Sequence, residues 1–216
     1  MSPLYIRRNP PFIKRDFAVT PPAPIRKPRA DSQRNREKLL SVAKDAFAAQ
    51  GPDVSLEEIA RRTGVGIGTL YRHFPNRDAI IADVYRREVG QLAGAAAELL
   101  DSHPPLDALR AWMRLFVDYI GAKKIMASAL NSLAGGTTEL YAASGPLITN
   151  AIALLLDRCK ADGAIRPDAE PMDLMMALVG VAYNTSAGPG WQAAALRVVD
   201  ILIAGIKQMD SPQAAL

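Results

Sequence analysis

Residues 55–74 read SLEEIARRTGVGIGTLYRHF and contain two short helical patterns joined by a tight turn. Ser55 and Glu58 have the spacing of a capping box, in which the serine hydroxyl accepts from the amide three residues on and the glutamate reaches back. A helix is therefore predicted over residues 56–62. Gly64 follows it and suits the left-handed backbone conformation that closes a helix.

A second short helix is predicted over residues 67–74, just before Pro75. Two helices joined by a short glycine-containing turn are the parts of a helix-turn-helix, whose second helix enters the DNA major groove. The three glycines of the turn do not fit a nucleotide-binding loop, because a charged helical segment precedes them and Thr69-Leu70 follows them.

The flanking sequence extends the helical pattern in both directions. A preceding helix is predicted from Asp31 or Ser32, either of which can cap it, to Gly51-Pro52. Asn76 can cap a following helix over residues 77–100, about 36 Å long at 1.5 Å per residue. Five further helices are predicted over residues 106–120, 124–133, 139–160, 171–187 and 191–209, with Gly145-Pro146 kinking or splitting the third of these.

Composition supports an all-α fold. Alanine accounts for 36 of the 216 residues, aromatic residues for only 6%, and no sustained apolar/polar alternation typical of strands is present. Cys159 is the single cysteine, so no internal disulfide can form. No segment is typical of a membrane span or an export signal, and we expect a cytoplasmic protein without a membrane partner.

Charge is distributed unevenly. Residues 1–90 hold 17 Lys and Arg against 10 Asp and Glu, whereas residues 91–216 hold 9 against 12. A basic front half indicates a polyanionic partner for that half. Residues 1–30 are rich in proline and basic residues and are predicted to be a disordered arm, either a solvated leader or a non-specific contact to phosphates.

The stretch from Ser55 to Phe74, with Pro75 and Arg77 after it, closely resembles the DNA-binding signature of the TetR family of transcriptional regulators. The resemblance covers about residues 32–85. More loosely, the segments Ala111-Trp112-Met113-Arg114 and Glu139-Leu140-Tyr141-Ala142 look like the SbtR-like branch of that family. The resemblance implies a homodimer with an N-terminal three-helix DNA-binding unit and a C-terminal helical bundle that binds a small-molecule effector and dimerises.

These expectations divide the chain into a basic arm (1–30), a helix-turn-helix domain (31–76), an effector-binding and dimerisation domain (77–210) and a tail (211–216). The expected function is that of a ligand-responsive regulator, a repressor that binds a pseudo-palindromic double-stranded DNA operator as a dimer. The alternative is a helical small-molecule sensor or adaptor that has lost operator binding. Two histidines and one cysteine offer neither a metal cluster nor a catalytic triad, so no cofactor, metal or enzymatic activity is expected.

Candidate DNA contacts lie on the second helix of the motif and around it. Ile67 and Thr69 can offer methyl groups to thymine, Gly68 allows close approach of the backbone, and Arg72 can reach guanine or a phosphate. Tyr71 and His73 resemble the phosphate-contacting pair of the family. Further phosphate contacts are expected from Arg34, Arg36, Ser55 and Arg77.

At Gly66 the sequence departs from the common pattern, in which a serine or threonine caps the second helix. Glycine caps tolerably, so the helix is expected to form. Few hydrogen-bonding side chains then face the groove, which leaves discrimination to Thr69, Arg72 and DNA shape.

In the rear half, aromatic and sulfur-containing side chains at helical spacing can line an apolar effector cavity, and plain core packing is the alternative for each. The candidate cavity residues are Trp112, Phe116, Tyr119, Met126, Leu130, Tyr141, Met175, Met176, Tyr183 and Asn184. The last two helices carry an apolar stripe for a four-helix interface with a second copy. The candidate interface residues are Leu174, Leu178, Val181, Leu196, Val199, Leu202, Ile203 and Ile206.

Overall fold

A computed structural model of the chain describes residues 28–184 and 190–207, so the predicted tail and most of the predicted arm lie outside the described residues. Within these ranges the helices are α1 (Pro28–Gln50), α2 (Leu56–Thr63), α3 (Ile67–His73), α4 (Arg77–Ser102), α5 (Pro105–Ile125), α6 (Ala127–Asn131), α7 (Thr138–Ala161), α8 (Pro171–Asn184) and α9 (Trp191–Ile206). The only β pairing in the described ranges is one isolated bridge between Ile165 and Lys207. The all-α prediction is confirmed.

The first three helices form an N-terminal unit around a small apolar core. Its large side chains are fully buried where α2 and α3 pack on α1, and α1 also packs against α4. The core residues that anchor the unit are Leu39, Leu40, Ala43, Phe47, Ile59, Leu70 and Phe74. Burial of these side chains holds α2 and α3 in a fixed relation to α1.

The helix caps predicted at Ser55, Gly64 and Asn76 are present in the structure. Ser55 Oγ accepts from the amide of Glu58 at 3.1 Å, and Asn76 Oδ1 accepts from the amide of Ala79 at 2.8 Å. Gly64 closes α2 with φ of +67°. These features depend on neighbours within four residues, which is why sequence alone reveals them.

The reciprocal half of the capping box is not made. The Glu58 carboxylate instead accepts from Arg61 and Arg62, at distances of 2.7 to 2.8 Å. These two guanidinium groups lower the pKa of Glu58 from 4.5 to about 2. On an exposed helix surface, two cations nearby bind a carboxylate better than one backbone amide does.

Several helices differ from expectation, among them α5, which continues five residues further than predicted, to Ile125. α1 begins at Pro28, three residues before Asp31, because proline is tolerated in a first helical turn. α7 runs through Pro146 as one helix, so the predicted split is wrong. Its buried residues Ile148 and Ile152 continue the face that packs against α4 and α5, and this packing offsets the missing proline hydrogen bond.

Helices α4, α5 and α7 form the centre of the rear domain, and α8 and α9 pack on its outside. By length and composition, α7 is apolar enough to cross a membrane. However, Leu140, Ile152, Leu155 and Leu156 on it are buried against neighbouring helices, as in the core helix of a folded domain.

Candidate nucleic-acid interface and internal cavity

The outward face of α3 consists of Ile67, Gly68, Tyr71 and Arg72. Ile67 is 39% exposed, Tyr71 is 44% exposed, and Gly68 and Arg72 are also exposed. Leu70 lies on the opposite side and is completely buried in the core of the N-terminal unit. The spacing of the four exposed residues places them on one side of the helix, and Leu70 fixes which side that is.

Thr69 and His73 are half-buried and border a groove between α3 and the start of α1. The groove has a volume of about 530 Å³ and is lined by Asp31, Ser32, Asn35, Thr69, Arg72 and His73. Three of the predicted contact residues thus share one groove beside the outward face.

The start of α3 has no side-chain cap, because Gly66 occupies the N-cap position. The Gly66 carbonyl accepts from the amides of Thr69 at 2.8 Å and Leu70 at 3.1 Å, so α3 forms without a side-chain cap. A Cβ added at Gly68 would meet no heavy atom within 4 Å. Glycine at position 68 therefore relieves no clash within the chain and only keeps the outward face flat.

Arg34 and Ser55 are exposed, but each already has a partner. Arg34 lies 3.4 Å from the Asp31 carboxylate on the surface of α1. Ser55 is held as the cap of α2. A pair of this kind between exposed side chains is weak, so Arg34 is free to exchange Asp31 for another anion.

Arg36 and Arg77, two of the predicted phosphate contacts, bind groups of the chain itself. Arg36 Nη2 lies 2.5 Å from Asp83 on α4, and its guanidinium stacks 5.4 Å from the Phe74 ring centroid. Arg77 donates to the carbonyl oxygens of Pro52 and Val54. Half-buried acceptors on neighbouring segments use these two cations, and a phosphate would have to break those bonds.

Three ion pairs join the N-terminal unit to the first half of α4. They are Arg36–Asp83 at 2.5 Å, Lys44–Glu88 at 2.5 Å and Glu37–Arg87 at 3.2 Å. All three therefore hold α1 of the N-terminal unit against this half of α4.

Only part of the predicted cavity set faces a cavity. Tyr119, Met126 and Leu130 line a small internal cavity between α4 and α5, and Tyr141 packs beside it with its ring centroid 5.3 Å from that of Tyr85. Trp112 is core: its Nε1 donates to the Leu92 carbonyl at 2.8 Å, and its ring stacks on Phe116 at 5.6 Å.

The predicted cavity residues on α8 are placed differently. Met175 is half-buried against the core, whereas Met176 is 60% exposed and Tyr183 is 58% exposed. The side chain of Asn184 lies outside the described residues. Met176 and Tyr183 are therefore surface residues of the single chain, because the other side of α8 carries the residues that fill the core.

Most of the predicted interface residues are buried in the single chain. Leu174, Leu178, Val199, Ile203 and Ile206 are each at most 7% exposed in the single chain, so their side chains fill its own core. Val181, Leu196 and Leu202 are half-buried. The large apolar side chains that α8 and α9 expose are Met172, Met176, Tyr183 and Ile201.

Tyr85, Tyr119 and Lys123 form the polar part of the internal cavity. The hydroxyl groups of Tyr85 and Tyr119 are hydrogen-bonded at 3.1 Å. Burial raises the pKa of both phenols and lowers the pKa of Lys123. The tyrosines therefore stay protonated and can donate, and the ammonium of Lys123 is kept half out of water at a cost in free energy.

Sequence reasoning missed Tyr85, Glu88 and Lys123 at this cavity. A signal was present for Lys123, which lies seven residues after Phe116 and four after Tyr119 on the inward face of α5. A lysine in an apolar stripe of an amphipathic helix is such a signal. Tyr85 carries no comparable signal, because an aromatic residue on an inward face is ordinary core.

Comparison with known proteins agrees with this architecture. A family model for bacterial regulatory proteins of the tetR family matches residues 39–84, and a model for the C-terminal domain of SbtR-like transcriptional regulators matches residues 104–208. Among curated proteins, the uncharacterized HTH-type transcriptional regulator TtgW of Pseudomonas putida is 32% identical over 98 residues, covering 45% of this chain and 69% of that protein.

Solved structures extend the similarity to nearly whole chains. The TetR transcriptional regulator SCO0520 of Streptomyces coelicolor is 43% identical with a TM-score of 0.73, over 81% of this chain and 99% of that one. A TetR transcription regulatory protein of Mycobacterium vanbaalenii is 31% identical with a TM-score of 0.69, over 83% and 99% of the two chains.

Proposed function

Since the chain belongs to the TetR family of DNA-binding transcriptional regulators, we propose that it is a ligand-responsive repressor that binds a pseudo-palindromic operator as a homodimer. The observation that carries this proposal is the outward face of α3. Its four exposed residues stand on a helix whose other side is buried in a packed core, so the face is rigid and accessible. A rigid exposed helix of this kind is what major-groove recognition needs.

Within this proposal, the residues of α3 divide by role. Ile67, Gly68, Thr69 and Arg72 approach base edges, while Tyr71 and His73 contact phosphates. Arg34 and Ser55 add phosphate contacts from α1 and α2. The helix-turn-helix domain then comprises residues 31–76, and residues 77–210 form the effector and dimer domain in a cytoplasmic protein.

A homodimer places two copies of α3 in major grooves one helical turn apart, about 34 Å. The exposed apolar residues of α8 and α9 support such an assembly, because large apolar side chains on one surface mark an interaction site. The proposed contact consists of Met172, Met176, Tyr183 and Ile201, with the half-buried Val181, Leu196 and Leu202 beside them. Two-fold symmetry of the dimer requires two inverted half-sites in the operator.

The ion pairs between α1 and α4 support a route for the ligand response. Glu88 lines the internal cavity and also holds Lys44 of α1. An effector that binds better when α4 and the N-terminal unit have moved together would shift the dimer to a spacing that no longer matches the operator. The effector can shift the equilibrium between the two states by at most the difference between its binding free energies for them.

Operator binding is tested by fluorescence anisotropy with the DNA upstream of the gene, over a series of salt concentrations. The logarithm of the association constant should fall steeply and linearly with the logarithm of salt concentration, because several phosphates release counterions. Absence of binding, or binding that does not depend on salt, would favour a sensor or adaptor without operator recognition.

Two variants separate phosphate contact from base recognition in the same assay. Tyr71→Ala should weaken binding to all DNA sequences alike, whereas Thr69→Ala should change preference at one operator position. If both variants lose the same affinity for every DNA sequence, Thr69 does not take part in base recognition. Repression is measured by transcription from the bound promoter in vitro, where added protein should lower transcript yield.

A further inference from the structure

We propose that the effector is a small apolar molecule with one carboxylate, which binds between α4 and α5 with its negative group at Lys123. This inference deepens the proposed function and rests on it only for the effect on operator binding. Binding itself is measured on the protein alone.

The first observation is that the charge of Lys123 has no counter-charge within the described chain. Its Nζ lies 4.0 Å from the Tyr141 ring centroid and 5.9 Å from that of Tyr85, and no carboxylate or carbonyl of a described residue binds it. The next residue differs, since Lys124 Nζ donates to the Ala182 carbonyl at 2.6 Å. Lys124 therefore fastens α5 to α8, and Lys123 makes no comparable bond.

The second observation is the supply of hydrogen-bond donors around Lys123. Tyr85 and Tyr119 share one hydrogen bond, so the pair keeps one hydroxyl proton that no described residue accepts. Both phenols are buried. An ammonium and a phenolic O–H both donate, so they bind an accepting group, and a carboxylate accepts from both and also neutralises the ammonium charge.

Nearby Glu88 does not supply that carboxylate. It lines the same cavity, but its Oε2 lies 2.5 Å from Lys44 Nζ. The negative charge of Glu88 is thus balanced by α1, which leaves the positive charge of Lys123 for a ligand.

The shape of the region accounts for the apolar part of the ligand. The internal cavity holds about 10 Å³, roughly the space of one water, and its apolar walls are Ala122, Met126 and Leu130. A neighbouring cavity of about 220 Å³ opens to solvent and shares Glu88, Tyr119 and Ala122 with it. A ligand bound at Lys123 would extend past Tyr119 and Ala122, which line both cavities, into this larger space. Its lining combines Leu92 and Leu115 with Lys44, Gln91 and Asp118.

The test uses three probes of equal shape and different charge: 3-phenylpropanoate, 3-phenylpropanamide and 3-phenylpropylamine. Their binding to the full chain is measured by isothermal titration calorimetry. The acid should bind at least about tenfold more tightly than the amide, and the amine should bind most weakly of the three.

Lys123→Met should abolish the preference for the acid while leaving amide binding within about twofold. Lys123→Arg should retain the preference. Lys38→Met removes the same charge from an exposed position of α1 and should change nothing. Circular dichroism melting of each variant confirms that it is folded.

The proposal is overturned if the wild-type chain binds acid and amide equally, if Lys123→Met retains the preference, or if none of the probes binds up to about 10 mM. Release of operator DNA by the acid is measured separately. Selective binding without release would contradict the ligand response and leave the carboxylate site standing, whereas operator binding with no charge preference would contradict the carboxylate site alone.

Discussion

The interface between α1 and α4 and the cavity between α4 and α5 both hold basic side chains, but their charges are balanced in different ways. At the first, Arg36 and Lys44 each lie 2.5 Å from a carboxylate of α4. At the second, the Lys123 ammonium lies against the rings of Tyr85 and Tyr141, and no carboxylate among the described residues pairs with it. All three cations are partly buried. Arg36 and Lys44 are each paired with a carboxylate of α4, whereas Lys123 is paired with none among the described residues.

The difference separates cations that hold the fold from a cation kept for a ligand. A partly buried charge with a good partner contributes to the position of its helix, and removal of the partner leaves a costly unpaired group. A partly buried charge without a partner raises the free energy of the folded chain. Substitutions on the two sides of α4 should therefore have opposite effects.

The largest effect is expected where the N-terminal unit is packed. Phe74→Ala removes a fully buried ring and its contact with Arg36, and should lower the free energy of unfolding by about 3–5 kcal/mol. Tyr71→Ala, three residues earlier on the exposed face, should change it by less than about 0.5 kcal/mol. Urea denaturation followed by circular dichroism measures both, and equal losses would mean that α3 is not anchored through Phe74.

Arg77 and Arg34 give a second matched pair. Arg77→Met leaves the Pro52 and Val54 carbonyls without their donor and should destabilise the chain by about 1–3 kcal/mol. Arg34→Met breaks only an exposed pair and should have an effect below about 0.5 kcal/mol on stability. If the two variants unfold at the same urea concentration, Arg77 does not fasten α4 to the N-terminal unit.

Substitution of the two adjacent lysines of α5 should change stability differently. Lys124→Met loses the bond to the Ala182 carbonyl and should destabilise the chain by about 0.5–1.5 kcal/mol. Lys123→Met removes a half-buried ammonium that no carboxylate of the described residues pairs with, so stability should stay the same or rise by up to about 1 kcal/mol. Thermal melts at one protein concentration compare them, and a loss for Lys123→Met as large as for Lys124→Met would show that Lys123 holds the fold.

The Lys44–Glu88 pair should have a small but measurable coupling. A double-mutant cycle with Lys44→Met and Glu88→Gln is expected to give about 0.2–1 kcal/mol, because Lys44 remains one-third exposed. The same cycle on Arg110 and Asp107, a pair exposed on both sides, should give less. Equal coupling for the two pairs would contradict the inference that Glu88 connects α1 to the cavity through Lys44.

The smallest effect concerns the contact of Glu58 with Arg61 and Arg62 on α2. The pKa of Glu58 is lowered to about 2 by Arg61 and Arg62, so the contribution of this contact is present above pH 4.5 and is lost as the pH falls towards 2. NMR titration of the Glu58 side chain should show this midpoint, and Arg61→Met should move it upward. A midpoint near 4.5 in the wild-type chain would mean that the arginines are not bound to Glu58 in solution.

Sequence alone was sufficient for features determined by nearby residues. The cap of α2 by Ser55, the closure by Gly64 and the cap of α4 by Asn76 depend on positions at most four apart. The inward roles of Arg36 and Arg77 were missed because their partners are 47 and 23 to 25 residues away. Only the packed fold brings such pairs together.

The rear helices were harder to interpret because α8 and α9 are apolar on more than one side. Periodicity then cannot separate the side that fills the core, with Leu178 and Val199, from the side that is exposed, with Met176 and Ile201. The cavity lysine is the exception. A charge within the apolar stripe of α5 is visible in the sequence, but only the structure shows that no carboxylate in its described part pairs with Lys123.

The central claim is that the outward face of α3 contacts DNA, and its most direct test compares two arginines of equal charge. Arg72→Ala changes that face, and Arg158→Ala removes an exposed arginine from α7 in the rear domain. Fluorescence anisotropy with DNA from upstream of the gene should show at least about tenfold weaker binding for Arg72→Ala and wild-type affinity for Arg158→Ala. Equal affinities for the two variants would contradict the claim.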